Sequence, residues 1–362
     1  MAELDFSKIT KDPLVAKKIM DYLKQLSKEF GPIKNSTIEI FEDMINYDEK
    51  QVVELALLAN RITFQGMNDQ NKRQEMIEEF ERLKSQLKKK DEIQKRIYLW
   101  QEGNMPQKTK YEDNSEYKYN HNPDFKPYMF ELLVDRSVRP KGAVIVCPGG
   151  DHGDCVVYEG YGVCKELNAI GYQCFLLNNR TNMNPWSQEE AGADVARAIT
   201  YVRKNAEKYR IEADRVAFAG FSNGGLTGEA NIRFYSNGRR ISDVFKNYQE
   251  DEQDEYDGSM DVFLNIYGPR FKKQKISYRD IKYPPVFLAV GEDDKMGIEN
   301  LLWTYADLKK HDVKTEMHTF TGVGHGKAGE AILGITENEN FRQWIGLADT
   351  FMQKVYEERN QR

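Results

Sequence analysis

A chain of 362 residues, 40% hydrophobic and 12% aromatic, has room for one large domain plus an appendage and enough apolar side chains to bury a sizeable core. Its net charge of −6 argues against nucleic acid as the main partner, and no apolar run approaches the ~20 residues that span a bilayer. The N-terminal stretch MAELDFSKITKDPLVAKKIM is charged and lacks the apolar segment of a secretory signal, so the cytoplasm is the expected compartment.

The first hundred residues carry helical periodicity only. Asp12-Pro13 reads as an N-cap followed by proline at the first helical position. Val15, Ile19, Leu23, Leu26 and Phe30 then share one face, and Gly31-Pro32 ends the helix. A short second helix carries Ile38, Phe41, Met44 and Ile45. Asp48 with Gln51 resembles a capping box, opening a third helix that runs to about Gly66. A fourth begins near Asn68 and buries Met76, Phe80, Leu83 and Leu87, with a Lys- and Glu-rich face toward solvent. Residues 1–95 are therefore expected to form an all-helical cap, lid or dimerisation region, the last implying a homo-oligomer.

From Arg96 the period changes, and residues 96–362 are expected to form a second, α/β domain. Strands are expected at Tyr128 to Val134, Ala143 to Cys147, Tyr172 to Leu177, Arg215 to Ala219, Val262 to Tyr267, Val286 to Val290 and Thr315 to Phe320. Helices are expected near 159–170, 188–207, 224–236, 299–311 and 339–358. Such alternation predicts βαβ units and a mainly parallel sheet with helices on both faces. The acidic stretch QEDEQDEYDG (249–258) has little to bury and lacks the spacing of a calcium-binding loop, so an exposed loop is expected there. The four cysteines, Cys147, Cys155, Cys164 and Cys174, lie within 28 residues without CxxC spacing or a histidine cluster. They read as free thiols, with Cys147 and Cys174 buried in strands, rather than as a zinc site.

Residues 220–224 read Gly-Phe-Ser-Asn-Gly, a G-x-S-x-G run between an apolar strand and a helix, with Gly225 following. Chemistry needs the glycines there: a nucleophilic serine must sit on a sharp strand-to-helix turn, where flanking side chains would collide with backbone. The helix N-terminus adds outward N–H groups and a positive dipole end near Ser222. A serine hydroxyl also needs a base. Of the five histidines, His325 lies in Gly-Val-Gly-His-Gly directly after a strand and can reach over the sheet. His318 sits within a strand, His311 ends a helix, His121 precedes the sheet, and His152 follows a glycine pair. An orienting acid is available in Glu292-Asp293-Asp294, again after a strand. Residues 147–151, Cys-Pro-Gly-Gly-Asp, close another strand; backbone N–H groups there and at Asn223 can converge on an oxyanion.

With glycine loop, elbow, acid and histidine in this order, the chain resembles the α/β-hydrolase superfamily, in its esterase/lipase branch of acetyl-xylan-esterase-like and feruloyl-esterase-like enzymes. The matching stretches are RIYLW (96–100), VIVCPGG (144–150), residues 158–180, residues 194–225, GEDD and GVGHG, together covering roughly 96 to 345. The resemblance implies an α/β-hydrolase fold with an N-terminal helical appendage, and a serine hydrolase cleaving carboxylic esters, often short acyl groups on carbohydrates. It implies Ser222, Asp294 and His325 as triad, with Asp293 as the alternative acid, and Gly150, Asp151 and Asn223 as oxyanion-loop positions. Asp151 stands where relatives usually carry a third glycine, and residues 1–95 have no counterpart in the minimal fold. His152 and Asp154 are candidates to touch a leaving group, and Trp186 to stack on a sugar or phenolic ring; a solvated loop and a buried anchor are the plain alternatives. The expected reaction is two-step acyl transfer without metal or organic cofactor. A prolyl-oligopeptidase-like peptidase shares the elbow but usually has a long propeller before the catalytic domain. A non-catalytic hydrolase fold used for binding is a further alternative.

Overall fold

In the computed structural model, the residues described are 44–64, 70–91, 93–108, 124–149, 156–180, 189–270, 276–329 and 339–361. Eight strands form one sheet: β1 (Ile97–Tyr98), β2 (Tyr128–Leu132), β3 (Gly142–Cys147), β4 (Tyr172–Asn178), β5 (Val216–Phe221), β6 (Val262–Ile266), β7 (Val286–Gly291) and β8 (Thr315–Phe320). Their spatial order is β1-β2-β4-β3-β5-β6-β7-β8. β1 and β2 are antiparallel to their neighbours, and all pairings from β4 through β8 are parallel. Every residue of GAVIVC, VAFAGF and VFLAVG is buried. Such unbroken apolar runs belong to strands covered on both faces. At the sheet edge, β8 instead reads TEMHTF, with its central residues partly exposed, and polar side chains there discourage pairing with another chain.

The covering helices are Val163–Ala169, Glu189–Lys204, Asn223–Tyr235, Ile298–Lys310 and Trp344–Asn360. Two more, Glu49–Phe64 and Gln70–Ser85, precede the sheet. We number all seven in chain order: α1 (Glu49–Phe64), α2 (Gln70–Ser85), α3 (Val163–Ala169), α4 (Glu189–Lys204), α5 (Asn223–Tyr235), α6 (Ile298–Lys310) and α7 (Trp344–Asn360). α1 and α2 bury Leu55, Leu58, Ile62 and Phe80 between them. Ile45 and Val52 belong instead to the main core that surrounds the sheet, so the hairpin shares apolar surface with the rest of the molecule. The helices expected over 12–31 and from Ile38 lie outside the described residues, apart from a single helical turn at Met44–Asn46.

Three local expectations need correction. Asp48 does cap α1, accepting the Gln51 N–H at 3.1 Å. The Gln51 side chain does not complete a capping box; it accepts from the Lys88 N–H at 2.8 Å and donates to the Gln86 carbonyl at 3.1 Å, tying the end of α2 to the start of α1. β1 was not anticipated, because two residues are too few to show alternation. The acidic stretch 249–258 is not simply an exposed loop. It holds a helical turn at Glu252–Glu255, and Asp251 grips the buried Arg197 of α4 through both oxygens, at 2.8 and 2.7 Å. Asp254 is itself buried and accepts from Arg197 at 3.3 Å and from the Tyr248 hydroxyl at 2.7 Å. The counter-charges are there because Arg197 is inside the protein, where an unpaired cation would be very unfavourable.

α4 carries further buried pairs: Asp194 with Arg180 at 2.7 Å and Arg203 with Asp261 at 2.8 Å. The indole N–H of Trp100 donates to Asp194 at 2.7 Å, and both guanidinium groups, of Arg180 and Arg197, lie against its ring, 5.4 and 5.2 Å from the centroid. RIYLW is thereby anchored to α4.

Candidate active site

The parallel strands β5, β7 and β8 all end on one side of the sheet, and each is followed by one polar side chain of the site. β5 runs to Phe221, so the chain turns into α5 at Ser222 itself, which adopts φ 48° and ψ −115°. A positive φ at a non-glycine residue is strained. The neighbours show how the turn is held. A β-carbon on Gly220 would lie 2.4 Å from the Gly224 carbonyl oxygen, and one on Gly224 would lie 2.2 Å from that of Cys147. Only glycine fits either position. The Ser222 N–H is fixed to the Ile266 carbonyl at 3.1 Å.

His325 Nε2 stands 2.9 Å from Ser222 Oγ, and its Nδ1 stands 2.7 Å from Asp294 Oδ2. Asp294 has no exposed side-chain surface, whereas the His325 side chain is 23% exposed and open to approach. The other Asp294 oxygen accepts the N–H groups of Met296 at 3.0 Å and Gly297 at 2.8 Å. A carboxylate only accepts hydrogen bonds, so Nδ1 of a neutral His325 carries the proton and Nε2 is left to accept from the serine hydroxyl. Asp293 and Glu292 point to solvent; the latter accepts from Thr321 at 2.8 Å and Thr319 at 3.3 Å.

Asn223 is the first residue of α5, where a helix directs its N–H groups outward. Gly150, Asp151, His152, Asp154 and Trp186, like His121 and Cys155, lie outside the described residues. Before them, Gly149 is described, and its N–H is already committed to Glu159 Oε2 at 2.8 Å. His318 bonds Glu316 at 2.7 Å on the edge strand, and His311 closes α6 with its ring 3.8 Å from that of Tyr278. Neither joins Ser222. Cys147, Cys164 and Cys174 are buried free thiols, and burial pushes the thiols of Cys147 and Cys174 up, away from the nucleophilic form.

Two residues of the site were not found in the sequence. Tyr267 follows β6 with φ 42° and sets its ring 4.9 Å from the His325 ring. Glu159 lies in a seven-residue π-helical segment, Val156–Gly162, and accepts the Tyr267 hydroxyl at 2.8 Å. No local signal marks either one: Tyr267 reads as the end of a strand, and Glu159 stands alone in YEGYG.

Residues 139–273 match the BD-FAE family. Over 252 residues the chain is 24% identical to endo-1,4-beta-xylanase B of Butyrivibrio fibrisolvens, covering 64% of this chain and 38% of that protein. Over 138 residues it is 30% identical to esterase LipC of Mycobacterium tuberculosis, covering 37% of this chain and 31% of that protein. The chain thus spans about a third of the length of each curated relative. Among solved structures, the acetyl ester-xyloside bifunctional hydrolase from Caldicellulosiruptor lactoaceticus superposes with a TM-score of 0.53 at 25% identity, covering 72% of this chain and 96% of that one. The carboxylesterase Cest-2923 from Lactobacillus plantarum WCFS1 shares the fold, with a TM-score of 0.50 at 18% identity over 64% of this chain and 94% of its own. With the sheet order and the elbow, the chain has the α/β-hydrolase fold and is similar to esterases of that fold.

Proposed function

We propose that the protein is a serine carboxylesterase acting on short acyl esters such as acetylated carbohydrates. The observation that carries this reading is the continuous relay Ser222–His325–Asp294, with contacts of 2.9 and 2.7 Å. In the first step Ser222 Oγ attacks the ester carbonyl while His325 Nε2 takes its proton. Asp294 holds the imidazole in the tautomer that can do so and stabilises the imidazolium that forms. The tetrahedral oxyanion is held by backbone N–H groups, with Asn223 and the loop residues Gly150 and Asp151 as the proposed donors; one such donor is worth roughly 2.7–4 kcal/mol of barrier. The alcohol leaves with the proton from His325. Water then enters, is deprotonated by the same imidazole, and releases the acid from Ser222.

The acetyl preference is supported by the similarity at 25% identity to a hydrolase named for acetyl ester and xyloside substrates. Hydrolysis of p-nitrophenyl acetate, butyrate and octanoate by wild type and Ser222→Ala tests the proposal. Turnover is expected to be fastest on acetate and to fall by at least about 10⁴-fold in the variant. Equal background rates in both proteins on every ester would contradict it, and cleavage of acyl-peptides instead would move the assignment to a peptidase.

A further inference from the structure

Glu159 is almost fully buried, at 1% exposure, and its two oxygens serve two different loops. Oε2 accepts the N–H of Gly149, in the loop after β3. That glycine is pressed against the nucleophile: a β-carbon there would lie 2.6 Å from Ser222 Cβ. Oε1 accepts the hydroxyl of Tyr267 at 2.8 Å. The same hydroxyl accepts the N–H of Ala328, in the loop that carries His325, at 3.3 Å, and the Tyr267 ring lies 4.9 Å from the imidazole. A β-carbon on Gly326 would come within 3.7 Å of Glu159 Oε1. One buried carboxylate therefore joins the backbone beside the nucleophile to the loop that carries the base. It sits in a π-helical segment, a geometry that recurs at functional sites.

We infer that Glu159 is a positioning residue for acyl transfer, setting the distance between the Ser222 elbow and the His325 loop through Gly149 and Tyr267. The inference rests on the esterase reading. The requirement for a carboxylate follows from the donors. Gly149 N–H and Tyr267 O–H both point at it, and the tyrosine's lone pair is engaged by Ala328. A glutamine offers one acceptor oxygen and one NH2 group, which only donates. It can satisfy Gly149 or Tyr267, and in either arrangement one buried hydrogen is left without an acceptor. An aspartate keeps the charge but is one methylene too short to hold both loops.

The test compares wild type, Glu159→Gln, Tyr267→Phe and the double variant. Steady-state constants on p-nitrophenyl acetate and the rate of Ser222 modification by a fluorophosphonate probe are both expressed per active site, titrated with the same probe. Glu159→Gln is expected to lower kcat roughly 10- to 100-fold with KM within about 3-fold, because a small misplacement of reacting groups acts on the transition state. Labelling should slow in parallel. Tyr267→Phe keeps the ring against His325 and should lose less, and the double variant should be no worse than Glu159→Gln, since both act through one link. Should Glu159→Gln not fold, Tyr267→Phe decides by the same two rates. Wild-type kcat and labelling rate per titrated site in Glu159→Gln, or in Tyr267→Phe in that case, would overturn the positioning role alone. A wild-type protein that neither turns over esters nor labels would overturn the esterase reading and this role together.

Discussion

Asp293 and Asp294 are adjacent and follow the same strand, yet their surroundings differ completely. Asp294 is buried, meets His325 and receives two backbone N–H groups; Asp293 faces water. Asp294→Asn keeps the shape but favours the wrong imidazole tautomer, and kcat is expected to fall about 10³- to 10⁴-fold, as in other Ser-His-Asp systems. Asp293→Asn should stay within about 2-fold of wild type, as exposed substitutions do. Comparing kcat for the two variants checks the assignment. Ser222 was legible in the sequence because its turn is made by glycines within a few residues of it, whose contacts are local. The choice between the two aspartates was not, since it depends on where the chain goes after Asp294 and on a histidine 31 residues away. Glu159 was less legible still: its partners lie 10 and 108 residues off, and nothing in YEGYG announces them.

At the level of elements, strands β3 through β7 were readable from their mainly apolar runs, because burial on both faces favours apolar side chains. The acidic stretch after residue 249 misled for the opposite reason. Composition reports charge, and only the fold reports that α4 has placed Arg197 inside. Burial opposes ionisation of Asp251, but its bonds to Arg197 and to the Gln253 N–H prevail and hold its carboxyl below the ordinary value of 3.8. A group held lower in the folded state stabilises above its unfolded value and loses that contribution as pH falls through its folded one. Thermal denaturation of wild type and Asp251→Asn should therefore show a gap in Tm that is full at about pH 6 and shrinks below the ordinary aspartate range. Arg197→Ala, which strands two acids, should be the more damaging change, by about 3–5 kcal/mol. A Tm gap for Asp251→Asn that does not change with pH would contradict the ion-pair account.

Across the whole molecule, the parallel sheet does the work of assembly: it brings Ser222, Asp294 and His325, which follow strands separated in sequence, together at one rim. The α1–α2 hairpin is fastened nearby. Tyr161, in the same π-helical segment as Glu159, donates its hydroxyl to Glu49 at the start of α1 at 2.7 Å, with Lys165 3.6 Å from that carboxylate. The helical periodicity of α1 and α2 was plain in the sequence, but this docking was not, because amphipathic faces say what is apolar and not what they meet. The hairpin therefore touches the segment that carries Glu159.

Whether His325 activates Ser222 as a nucleophile is read from where, and how fast, a fluorophosphonate probe attaches. After labelling, proteolysis and mass mapping, the account predicts modification of Ser222 in wild type, none at that peptide in Ser222→Ala, and a labelling rate in His325→Ala reduced by at least about 10³-fold. Modification at another residue, or labelling of Ser222 at the same rate with and without His325, would contradict it.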